Sequence, residues 1–132
     1  MTPQPRNWSN ARLAAGLLRL GLGVDFFMHG AVRVPKLAAF ADGLVKQFAA
    51  TILPAFAVRG FALLTPIVEV LVGLLLLAGG RWLRWGAVLG GLQLTALIFG
   101  SALREEWANI NVQLVHLLAL YVLLRSTNDE PR

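Results

Sequence analysis

The sequence predicts an all-α membrane protein: a four-transmembrane-helix bundle with an amphipathic interfacial helix between helices 1 and 2. Three observations predict it. The chain of 132 residues is 57% hydrophobic and only 14% charged, and its mean hydropathy is +0.65. So few charges cannot cover that much apolar surface in water, which makes a lipid bilayer the expected surroundings. Four apolar runs stand out, at about residues 12–30, 61–79, 85–103 and 107–124. Each is close to the roughly 20 residues that cross a hydrocarbon core. All four tryptophans, Trp8, Trp82, Trp85 and Trp107, fall at the ends of these runs, as an aromatic belt requires. Residues 1–132 read as one membrane domain.

The elements follow in order. Ser9 or Asn10 caps the first helix just ahead of its apolar run. Arg19 interrupts that run, and the nearest small-x-small site, Ala39-Phe40-Ala41, lies beyond Arg33 and Lys36. The first segment is therefore expected to stay as a helix and not to be removed as a leader. Between the first two helices, Leu37, Phe40, Ala41, Leu44, Val45 and Phe48 recur at helical spacing, with Lys36, Asp42 and Lys46 set apart from them. That pattern predicts an amphipathic helix at about residues 36–50, lying on the membrane surface or over the mouth of the bundle. TILP, ending at Pro54, leads into helix 2. GRWLR and REE make tight hairpins before helices 3 and 4, and a polar tail occupies 125–132. In helix 3, Gly86 and Gly90 form a GxxxG that permits close helix packing.

Composition excludes several classes. There are no cysteines, hence no disulfide framework, thiol nucleophile or iron–sulfur ligands within the chain. The net charge of +5 and pI of about 11.1 do not point to nucleic acid, because the basic residues sit at the ends of apolar runs. No metal is expected, since no metal-spaced cluster is present. No haem is expected, since His116 lies roughly 10 Å deeper than His29 at 1.5 Å per residue. Basic residues on the two sides nearly balance. The short hairpin carrying Arg81 and Arg84 tips the prediction toward cytoplasmic N- and C-termini.

Ionisable groups inside apolar helices need a partner or water, and so mark a candidate site. Asp25, His29 and Arg33 share one face of helix 1 at i, i+4, i+8. Depth, counted at 1.5 Å per residue from one membrane side, is roughly 8 Å for Asp25, 12 Å for Glu69, 15 Å for Gln93 and 13 Å for His116. All four helices thus place a polar group in one layer. Asn109, Gln113 and His116 form a polar stripe on helix 4, which turns it inward. Two readings of the layer stand: ion pairs that fasten the bundle, with Glu69 bonded to His116 or Arg19, or a polar pocket with His29, Arg33 and Arg104 at its mouth.

Two stretches carry a family resemblance. RLGLGVDFFMHGAVRVPKL resembles the first helix and following loop of DoxX-like membrane proteins, and PIVEVLVGLLLLAGGRWLRWGAVL resembles the same family over the next two helices. The family pattern falls on His29, Gly30, Glu69, Gly73 and Arg81. A lysine usually follows the first-helix glycine, and here Arg33 and Lys36 occupy that stretch. The resemblance implies four membrane helices in a bacterial cytoplasmic membrane. Some relatives are subunits of thiosulfate:quinone oxidoreductase, which implies quinone as the cofactor and a partner subunit or a homo-oligomer. On that reading Glu69, His116 and Asp25 carry the proton chemistry, and His29, Arg33, Gln93, Arg104 and Gln113 bind the quinone or substrate. A non-enzymatic anchoring subunit and a small transporter are the alternatives.

Overall fold

The computed structural model describes residues 8–127. They form five helices: α1 (Asn10–Ala31), α2 (Leu37–Gln47), α3 (Ala55–Ala78), α4 (Arg81–Leu103) and α5 (Trp107–Ser126), with a 3₁₀ turn at Val34–Lys36 between the first two. No strand occurs among the described residues. The Ser9 side chain accepts a hydrogen bond from the Arg12 amide at 3.3 Å and so caps α1.

Two helices start earlier than their apolar runs. α3 begins at Ala55, directly after Pro54, and not at Phe61. The added turn is held by tertiary contacts: Val58 is buried, and Arg59 pairs with Asp42 of α2 at 2.8 Å. α4 begins at Arg81 because the α3–α4 turn is made by Gly79 and Gly80 alone. Their φ angles of 68° and 55° suit residues without a Cβ. Arg125 and Ser126 belong to α5. The rest of the predicted tail, 128–132, lies outside the described residues.

The long helices pack antiparallel in the ring order α1, α3, α4, α5, with α5 returning to α1. The α1–α3 contact is built on glycine. A Cβ on Gly73 would stand 2.5 Å from the Phe27 amide nitrogen and 2.7 Å from the Gly23 carbonyl, and one on Gly30 would collide with the Pro66 carbonyl. Gly86 and Gly90 play the same part between α4 and α3, against Leu76 and Val72. The core between them is Leu22, Phe26, Val72, Leu76, Leu83, Leu94 and Leu120.

Three helices, α3, α4 and α5, are long and apolar enough to cross a membrane. α1 has comparable length, but Arg12, Arg19, Asp25 and His29 lower its apolar character. Leu17, Leu92, Val115 and Leu118 point outward at 61–70% exposure, a surface suited to lipid and not to water. α2 packs on the start of α3, with Ala41 fully buried and Lys36, Asp42 and Lys46 exposed.

Candidate functional site

A cavity of about 830 Å³ opens where the C-terminal end of α1, helix α2 and the α4–α5 connection meet. Its walls are mixed. Phe26, Phe40, Phe48, Phe61 and Leu94 supply apolar surface. Asp25, His29, Arg33, Glu69, Arg104, Gln113 and His116 supply polar groups. Seven of the eight sequence-predicted site residues therefore line one space, because antiparallel helices bring the end of α1, the middle of α3, the end of α4 and the first half of α5 to the same level.

Two ion pairs in the cavity wall link separate segments of the fold. Glu69, only 6% exposed, faces Arg33 at 3.3 Å, and Arg33 also lies over the Phe40 ring at 4.8 Å. His116 Nε2 stands 2.9 Å from Asp25 Oδ2, with the Phe26 ring edge-on to the imidazole at 6.5 Å. Asp25 Oδ1 is 3.3 Å from His29 Nδ1. One carboxylate thus joins two imidazoles.

The partner expected for Glu69 is corrected here: it is Arg33, not His116 or Arg19. Arg33 lies just past the end of α1, and the close Gly30–Pro66 approach brings its long side chain back over Glu69. His116 is taken by Asp25. Arg19 lies at the far end of the bundle, donating to the Leu76 and Leu77 carbonyls at 3.1 and 2.7 Å. It satisfies the last turn of α3, where carbonyls have no partner within the helix.

Gln93 is the predicted residue that does not line the cavity. It is buried behind the wall and donates to Thr65 Oγ1 at 3.1 Å, and Thr65 donates in turn to the Phe61 carbonyl at 2.8 Å. Thr65 does line the cavity. It was not anticipated, since a lone threonine in an apolar helix commonly bonds its own backbone. Arg104 is fastened at the opposite wall, bonding Glu106 at 2.7 Å, donating to Gln47 Oε1 and lying 5.2 Å over the Phe48 ring. Gln113 donates to Ser101 Oγ at 3.1 Å. Two atoms of this wall, Arg104 Nε and Gln113 Oε1, one a donor and one an acceptor, are buried without a hydrogen-bond partner.

Fold and site together define a class: a helical bundle of membrane type that encloses an aromatic cavity with ionisable walls. Comparison of the chain with protein-family models, with curated proteins and with solved structures finds no match.

Proposed function

We propose that this chain is a four-span membrane subunit that binds a quinone in the cavity between α1, α2, α3, α4 and α5, exchanging protons through its ionisable wall and electrons with a partner redox subunit. The observation that carries the reading is the meeting of aromatic surface and hydrogen-bonding groups in one 830 Å³ space within an outwardly apolar bundle. A quinone ring and tail need apolar walls, and its carbonyls need fixed polar partners. Phe26, Phe40, Phe48 and Phe61 fit the ring, and the Arg104 guanidinium fits a carbonyl, while His29 stands at the mouth to exchange the proton. The unpartnered Arg104 Nε, a donor, suits a quinone carbonyl, and the unpartnered Gln113 Oε1, an acceptor, suits the hydroxyl of the quinol form. When bound, a quinone supplies a two-electron, two-proton couple.

On this reading α1 crosses the bilayer with the three more apolar helices, its Arg19 satisfied by α3 and its Asp25 by His116. α2 lies along one surface as the roof of the cavity, and both termini face the cytoplasm of a bacterial cell. The DoxX-like resemblance supports the same assignment.

The accessory-subunit reading draws on a different aspect of the same groups: both ion pairs of the cavity join segments distant in sequence, as structural fasteners would. Quinone binding by the purified protein in lipid nanodiscs, with a water-soluble quinone analogue, separates the two. Saturable binding that Phe48→Ala and Arg104→Met weaken is the expected result. Absence of saturable binding in a folded preparation would favour the accessory role.

A further inference from the structure

The hydrogen bonds give the two cavity imidazoles different roles. In each ring Nδ1 lies 2.8 Å from the carbonyl oxygen one turn back, Asp25 for His29 and Val112 for His116. A carbonyl only accepts, so Nδ1 carries a proton in both rings. The rings differ at Nε2. His116 Nε2 is engaged by Asp25 Oδ2 at 2.9 Å. His29 Nε2 has no hydrogen-bond partner among the described residues, and the side chain is 50% exposed at the cavity mouth.

We propose that His29 is the acid–base group that meets the ligand, and that Asp25 and His116 are positioning residues that fix and balance it. This rests on the quinone reading above. Neutral His29 presents a bare Nε2, an acceptor for the hydroxyl of a bound quinol. In the transfer the O–H bond breaks, an N–H bond forms and the electron pair stays on oxygen. The ring then carries a positive charge, and Asp25 Oδ1, 3.3 Å from its Nδ1, stabilises it through a carboxylate shared with His116. Being at the mouth, the same ring passes its proton on to water.

The other charged groups nearby are already paired. Arg33 just past α1 and Glu69 of α3 face each other at 3.3 Å, and Arg104, just past α4, faces Glu106 at 2.7 Å. His116 of α5 holds the other oxygen of Asp25. Because His116 Nδ1 already donates to Val112, one proton must lie between Nε2 and Oδ2 for that contact to be a hydrogen bond. A carboxylate so held cannot swing away from His29 when the ring gains charge. His116 itself has no free nitrogen to offer a ligand.

The test uses the full chain in nanodiscs, with ¹⁵N-labelled histidine observed by NMR. Without ligand, the expected spectrum has Nδ1 protonated in both rings, a hydrogen-bonded Nε2 in His116 and an unengaged Nε2 in His29. A soluble quinol analogue is expected to move the His29 Nε2 signal and leave that of His116 in place. Quinol affinity should depend on pH in the native chain and lose that dependence in His29→Gln. It should keep the dependence in His116→Gln, which still donates to Asp25, and lose part of it in His116→Leu. A His116 signal that moves alone, or a pH dependence that survives His29→Gln, overturns the proposal. If the quinol does not bind, the quinone reading falls, and the ligand-free spectrum still decides whether His29 holds the unengaged nitrogen.

Discussion

Asp25 and His116, 91 residues apart in sequence, meet at 2.9 Å and join the first long helix to the last. α1 and α5 share less packing than the other neighbouring pairs, so this polar contact has an outsized part in closing the ring. His116→Ala is expected to lower stability by about 1–2 kcal/mol, between the values for exposed ion pairs and for charged hydrogen bonds. Thermal melting in detergent measures it. Asp25→Asn and the double variant should show coupling, since both changes remove the same contact. Additive losses would count against the contact.

Glu69 and Arg33 should behave as a buried pair. Arg33→Met alone strands a carboxylate that is 6% exposed, at a cost of about 3–5 kcal/mol. Adding Glu69→Leu removes the stranded charge and should restore most of the loss. If the double variant melts lower than Arg33→Met, the pair does not stabilise the fold in this way.

The glycines of the α1–α3 contact separate sharply from the others. Gly73→Ala sets a methyl group 2.5 Å from a backbone nitrogen and should destabilise by about 1–3 kcal/mol, as overpacking does. Gly16 and Gly60 have nothing within 4 Å of an added Cβ. Alanine there should be neutral or stabilise by up to about 1 kcal/mol, the usual helix gain over glycine. Equal effects at Gly73 and Gly16 would contradict the helix crossing.

Topology gives a fourth prediction. Single cysteines at Ser9 and Ser126 should be labelled from one side of the membrane and a cysteine at Asp42 from the other. Spin labels at positions 40 and 44, which line the cavity, should be shielded from a water-soluble relaxing agent relative to one at position 42. Labelling of positions 9 and 42 from the same side would rule out a membrane-crossing α1.

Much of this molecule was legible in the sequence. Hydropathy locates α3, α4 and α5 because burial in lipid leaves long apolar runs. Helical spacing located α2 through Leu37, Phe40, Leu44 and Phe48. The polar layer was also readable, since a carboxylate or imidazole inside an apolar helix demands a partner, and rise per residue places several such groups at one level. Partner choice was not. Asp25, Glu69, Arg33 and His116 allow several pairings at similar depth, and only the rotation and spacing of the helices choose among them. The close approach at Gly30 and Gly73 carries Arg33 to Glu69, and closure of the ring brings His116 to Asp25. The start of α3 was likewise hidden, because Val58 and Arg59 join the helix through contacts with α2 and the rest of the fold that no local pattern encodes. The free nitrogen of His29 is a product of that same arrangement: a hydrogen bond to backbone is local, but the engagement of Nε2 in one ring and its freedom in the other depends on which helix stands opposite.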